Sequence, residues 1–223
     1  MNTSIKEKVN KLIGNKKYPV VLEIGSHYGE DTQDMIDVFD CPQIFCFEPH
    51  PGNAEFMRKH FEGFKNVSVI EIALSDKNGM ASFNVIVSPL GEKPLPKKYE
   101  WIDKDDYSNL CLNDSGGCSL KNGYRNEDCK TIEVKTSRLD SWFKDGDINE
   151  IDFVWMDVQG AEKEVVFGGK EAFKRVSYVW TEFGETHYEG GMGRNETVAL
   201  FDSIGFKELD SDKNNILFER IML

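Results

Sequence analysis

What this chain of 223 residues lacks narrows it first. No apolar run approaches the roughly 20 residues that a membrane-spanning helix needs, and a hydrophobic content of 39% suits a soluble globular protein. The opening MNTSIKEKVNKLIGNKK has mixed charge and no apolar stretch of the kind that marks a secretory leader, so a cytoplasmic location is expected. The five cysteines (Cys41, Cys46, Cys111, Cys118 and Cys129) form no CxxC pair, and an odd count cannot complete a disulfide framework. Reduced thiols are expected, with Cys46 a small buried hydrophobe inside IFCF. Basic charge is scarce. The 27 Lys and Arg residues face 39 Asp and Glu, leaving a net charge of −12. Such a surface repels phosphate backbones, which argues against nucleic-acid binding. No strong metal-ligand spacing, internal repeat or low-complexity tract occurs.

Four short apolar runs do not alternate: VVLEIG (20–25), IFCFEP (44–49), IDFVWMDV (151–158) and VSYVWTEF (176–183). Strands apolar on both faces suit a parallel sheet covered by helices on each side. Helical patterns lie between them. Met35, Ile36 and Phe39 share one face; Ala54, Met57 and Phe61 share another, with His50 and His60 read as surface residues. AEKEVVFGGKEAF carries acids in its first turn, and NETVALFDSIG offers Asn195 as an N-cap and Gly205 as a stop. The end, FKELDSDKNNILFERIML, reads as two strands joined by a polar turn. An open α/β sheet follows, mostly parallel, with helices on both faces and a C-terminal antiparallel hairpin. ASFNVIV (81–87) and TIEVKT (131–136) alternate, as half-buried strands would. The long stretch between them, 88–130, is rich in Gly, Pro, Asn and Asp, and its Tyr99, Trp101, Tyr107 and Tyr124 favour an insertion or ordered lid. Residues 1–223 are expected to form a single domain, with 1–18 a helical N-terminal extension.

The turn after VVLEIG raises the functional question, because open α/β sheets bind ligands beyond the carboxyl ends of their strands. The Gly-Lys-Ser/Thr ending of a phosphate loop is absent, and Gly25 and Gly29 are spaced GxxxG, not GxGxxG. Glu23, Glu30 and Asp31 would repel phosphate. A cationic, phosphate-free ligand such as S-adenosylmethionine fits better. Glu48, at the end of the second run, can accept hydrogen bonds from ribose hydroxyls. Ser75 and Asp76, after VSVIEIALSD, would stand near an adenine, and Asp157 ends the next run beside the sulfonium region.

Taken in order, VVLEIGSHYGEDT, CFEPHP, VIEIALSDKNGMASFNV, SGGCSL, VKTSRLDSW, DFVWMDVQGAEKEVVFGG and VWTEF resemble the FkbM-type methyltransferases over about residues 18–190. The resemblance implies a Rossmann-like class I methyltransferase fold, S-adenosylmethionine as cofactor, and a hydroxyl acceptor on a sugar, glycan or small metabolite. It implies that Glu23, Gly25, Ser26, His27 and Gly29 form the methionine-binding turn. Glu48 would hold the ribose, Ser75 and Asp76 would lie near adenine, and Asp157 would sit beside the methyl-transfer site. His27 stands where Asn is frequent, and Cys118 where Ser is usual. An alcohol must lose a proton as it attacks, so a base is expected; the candidates are Asp157, Glu162, Glu182 and His187. Glu162 has the simpler reading of a helix cap, and His187 that of an exposed loop residue. A metal is not expected. The alternatives are a catalytically degenerate binding module and an N-methyltransferase; a nicotinamide enzyme is disfavoured by the GxxxG spacing.

Overall fold

The computed structural model describes residues 3–86, 117–123, 129–146, 148–184 and 188–221. Its main sheet explains why the apolar runs do not alternate. Strands β1 (Val20–Ile24), β2 (Gln43–Phe47) and β3 (Val67–Ile70) lie parallel on one side. Strands β7 (Ile151–Met156) and β8 (Val176–Glu182) continue the parallel set, with β1 beside β7. The hairpin β9 (Phe206–Ser211) and β10 (Asn215–Arg220) closes the far edge antiparallel, giving the order β3-β2-β1-β7-β8-β10-β9. All six residues of β7 are buried. Successive side chains point to opposite faces. From Phe153 onward they alternate, Phe153 and Trp155 entering one core and Val154 and Met156 the other, which Ile151 at the strand's start also joins.

The first face is covered by α4 (Leu139–Asp145), α5 (Glu162–Gly168) and α6 (Arg194–Ser203), through Leu139, Val165, Val166 and Phe201. Phe201 stacks on Phe218 of β10 at 4.4 Å between ring centres. The second face is covered by α1 (Thr3–Leu12), α2 (Glu30–Val38) and α3 (Pro51–His60), through Ile5, Val9, Met35 and Met57. Lys6 is fully buried beneath α1, with Nζ 3.0 Å from Asp31, 2.8 Å from Asp34 and 4.8 Å from the centre of the Trp155 ring.

Three local expectations are corrected. VSVIEIALSD is not one element: β3 ends at Ile70 in the main sheet, and β4 (Ala73–Leu74) joins a second sheet. There it pairs with β6 (Cys129–Ser137), which pairs in turn with β5 (Gly79–Ile86), over a small core of Ala73, Phe83, Val85 and Val134. The N-cap of α6 is Gly193, not Asn195: Glu196 accepts the Gly193 N–H at 3.1 Å, and Thr197 donates to the Gly193 carbonyl at 3.0 Å. His50 is also more than a surface residue, since its Nδ1 accepts the Asn53 N–H as the N-cap of α3. Among the described residues no helix is long and apolar enough to cross a membrane. Of the 88–130 stretch, only 117–123 and 129–130 are described; Tyr99, Trp101, Tyr107, Cys111 and Tyr124 lie outside.

Candidate active site

The carboxyl ends of β1, β2 and β7 are laced together by backbone. Gly25 and Ser26 donate to the Phe47 carbonyl at 2.9 and 3.2 Å, and Asp157 donates to the Ile24 carbonyl at 2.9 Å. Gly25 sits at φ +87°, and a Cβ there would fall 1.9 Å from the Asp157 carbonyl oxygen. Only glycine lets these two strand ends approach so closely. A cleft of about 690 Å³ opens above them, within the usual size range for small-ligand sites. It is lined by Gly25, Ser26, His27, Glu48 and Asp157, with Glu30, Asp31 and Asp34 of α2 on one side and Ile72–Leu74, Phe83, Cys118 and Leu120 on the other.

Four of the anticipated cofactor residues stand outside this lining. Glu23 is buried behind the turn, where Thr32 donates to its carboxyl group. Desolvation, with the Asp31 charge adding, holds its pKa well above the ordinary carboxylate value. Gly29 caps α2 with its backbone packed against Phe61. Ser75 and Asp76 are drawn off by the second sheet: the Ser75 N–H bonds the Ser137 carbonyl, and Arg138 bonds the Asp76 carbonyl. What this segment gives the cleft is instead the apolar Ile72–Leu74.

The acids at the cleft differ in state. Glu48 accepts the backbone N–H groups of His27 and His50, each at 2.8 Å, and the Asn53 amide at 3.4 Å. Burial outweighs these donors and pushes it up to about 7. Asp31 is raised by burial to about 6 against the pull of Lys6. His27, at φ +52°, directs Nδ1 to Glu30 at 3.0 Å. No Lys or Arg is among the described lining residues.

A smaller cavity of about 150 Å³ adjoins the cleft at Gln159 and is lined by Gly160, Glu162, Glu182, Gly184, Tyr188 and Asn214. The Gln159 side-chain amide donates to Asp157 and, at 3.0 Å, to Glu182, joining the two carboxyl groups; burial and the Asp157 charge push Glu182 up to about 9, and burial also raises Asp157. Two acids joined in this way resist being ionised together. Glu162 accepts the Gly160 N–H at 3.2 Å and is pushed by burial to about 7. The structure therefore brings Asp157, Glu162 and Glu182 together, while His187 lies outside the described residues. Among the described residues no group of three or more His, Cys, Asp or Glu could hold a metal ion. Sequence reasoning missed Gln159, Tyr188 and Asn53. Gln159 stood in plain view inside DVQGAE, but an uncharged residue gives no electrostatic signal.

The FkbM methyltransferase domain matches residues 23–208. The chain belongs to the FkbM methyltransferase family. Its relatives include the 2-O-methyltransferase NoeI of Sinorhizobium fredii, 33% identical over 189 residues, or 84% of this chain and 73% of that protein. Solved structures show the fold alone at this distance. The CurJ carbon methyltransferase superposes with a TM-score of 0.52 at 9% identity, over 100% of this chain and 54% of that one. A putative RNA methyltransferase of Pyrococcus horikoshii gives 0.51 at 10% identity, over 99% and 84%. The protein is an S-adenosylmethionine-dependent methyltransferase of the class I fold. The cleft fits that cofactor: it combines a glycine turn with backbone donors, an apolar wall at Ile72–Leu74 and a wholly acidic set of charged neighbours, suited to a cation without phosphate.

Proposed function

We propose that this enzyme methylates a hydroxyl group of a sugar, glycan or small hydroxylated metabolite. The observation that carries this reading is the Asp157–Glu182 carboxyl pair, which sits where the cofactor cleft meets the smaller cavity. An alcohol acceptor must shed a proton as the new C–O bond forms, and an acid pair holding a single proton can take a second. The NoeI name adds support, since that relative is a 2-O-methyltransferase.

The cofactor, when bound, supplies an electrophilic methyl group and departs as a neutral thioether. The chain's own residues do the rest. We assign Gly25, Ser26 and His27 to the methionine end, Glu48 to the ribose and Ile72–Leu74 to the adenine. Asp157 and Glu182 would orient the acceptor and receive its proton, which is a proximity effect joined to general base catalysis. Glu162 we read as fixing the Gly160 turn. We also read residues 1–223 as one domain, because Lys6 of the N-terminal helix is buried against acids that line the cleft.

The test is methyl transfer from isotopically labelled cofactor to a panel of deoxysugars, oligosaccharides and matched amino sugars, with Glu182→Gln as comparison. A labelled methyl ether formed by the wild type and lost in the variant is expected. Exclusive labelling of amines would replace this reading with N-methylation.

A further inference from the structure

Gln159 stands at the junction of the two cavities, and every polar atom of its side chain is committed. Its Nε2 donates to Asp157 Oδ1 and, at 3.0 Å, to Glu182 Oε2. On the opposite side its Oε1 receives the Tyr188 hydroxyl at 2.6 Å, and that hydroxyl also lies 2.9 Å from the Gly117 carbonyl. The Gln159 backbone carbonyl accepts from Ser119 Oγ at 2.6 Å. The backbone is shaped to allow this. Gln159 adopts φ +54°, a region that L residues enter at a cost, and Gly160 follows at φ +92°. A Cβ on Gly160 would fall 2.6 Å from the Tyr188 Cβ, so the turn is also the seat of the Tyr188 ring.

Resting on the reading that Asp157 and Glu182 serve the reacting centre, we infer that Gln159 is a positioning residue that holds the two acids as one unit, and that the Tyr188 hydroxyl anchors the far end of its amide. The amide has one donor end and one acceptor end. Two carboxyl groups require the donor end, which leaves the amide oxygen to accept from the Tyr188 hydroxyl. If the amide turned over, its oxygen would face two acids and the unit would separate. Both acids would then lose a donor that favours their charged forms, so the pair would take up protons more readily. The charged and titratable groups facing the unit are Glu162 of α5, Glu30 and Asp31 of α2, and His27 of the glycine turn. All remain in place when Gln159 or Tyr188 is changed.

The test compares Gln159→Leu and Tyr188→Phe with the wild type in three measurements: kcat against pH, KM for the cofactor, and carboxyl-carbon NMR titration of the pair. Tyr188→Phe keeps the ring in its seat on Gly160 and removes only the hydroxyl, so it guards against a folding defect. Expected for Gln159→Leu is an acidic limb moved upward by about one pH unit, which is a loss of about tenfold in kcat below that limb. Tyr188→Phe should move the limb the same way by less. KM for the cofactor should stay unchanged in both. A folded Tyr188→Phe with a wild-type pH profile and carboxyl titration overturns the inference. Asp157→Asn and Glu182→Gln separate the two claims. If both keep wild-type turnover, the acid-pair reading itself fails. If both lose turnover while the Gln159 and Tyr188 variants keep the wild-type profile, only the positioning inference fails.

Discussion

Gly25→Ala puts the construction of the cleft to the strictest test. At φ +87° an added Cβ would lie 1.9 Å from the Asp157 carbonyl oxygen and 2.9 Å from its carbonyl carbon. Neither atom belongs to a side chain that can swing aside, and the Asp157 N–H is itself tied to Ile24 at 2.9 Å. The left-handed backbone costs an L residue about 1–2 kcal/mol, and forcing atoms into packed structure adds about 1–3 kcal/mol. The sum, about 2–5 kcal/mol, is a large part of a typical stability of about 5–15 kcal/mol. At about 2–4 °C per kcal/mol for a chain of this size, Tm should fall by roughly 4–20 °C. Gly14→Ala supplies the control, because Gly14 has φ +69° but nothing within 4 Å of its virtual Cβ. It should show only the conformational part. Calorimetric unfolding of both variants, followed by cofactor titration, separates strain from contact. Gly25→Ala should weaken cofactor binding by at least about tenfold, roughly 1.4 kcal/mol, whereas Gly14→Ala should bind as the wild type does. Equal stability losses in the two variants, or unchanged cofactor affinity in Gly25→Ala, would refute the close approach.

Without cofactor, stability should fall as pH rises. Glu48 and Glu162 are pushed to about 7 and Glu182 to about 9 from an ordinary value of 4.5. The folded state thus keeps protons that the unfolded chain releases, and this contribution, complete below about 4.5, is lost as pH climbs through 7 and 9. Urea midpoints from pH 5 to 9 should decline, and Glu182→Gln should flatten the upper part; a rising midpoint would contradict the burial argument. Glu48→Ala should cut cofactor affinity at least about tenfold by calorimetry, since it also strands two backbone donors; wild-type affinity would remove Glu48 from the site. Lys6→Met should cost about 3 kcal/mol in urea unfolding, the lower end for a broken buried pair because Asp34 is partly exposed, and a loss below about 1 kcal/mol would show that the clamp between α1 and α2 is idle. Cys46, buried and raised by desolvation, should resist thiol labelling until the protein unfolds, unlike exposed Cys41 and Cys129; mass mapping of the labelled peptides decides.

The sheet was legible because burial on both faces leaves an unmistakable trace. FVWM could be apolar at every position only if alternate side chains entered two different cores, and they do. Glu48, Asp157 and Glu182 were legible for the same reason: a charge ending an apolar run marks the point where a strand leaves the core. The division of VSVIEIALSD was not legible, because apolar pattern records burial and not the identity of the neighbouring strand. Ile70 pairs with β2 while Ala73 pairs with β6. Asn195 is a good capping residue by type, yet the position of a cap is set by where the chain turns, and here the Gly193 N–H meets Glu196.

The site repeats this division between charge and geometry. Reading it by charge finds the acids but cannot rank them, because rank depends on partners distant in sequence. Glu23 and Glu48 are both buried acids at strand ends, 25 residues apart along the chain. Thr32 of α2 turns Glu23 into a brace behind the turn, whereas two backbone N–H groups hold Glu48 at the wall of the cleft. Asp157 and Glu182 become a pair only because β7 and β8 are parallel neighbours whose carboxyl ends lie side by side. The link between them, Gln159, carries no charge at all. Its place is read from a left-handed backbone and from a glycine that makes room for a tyrosine 28 residues further on. Acidity alone would give this fold a pocket for a cation. Joining two of those acids takes a neutral amide that donates to both.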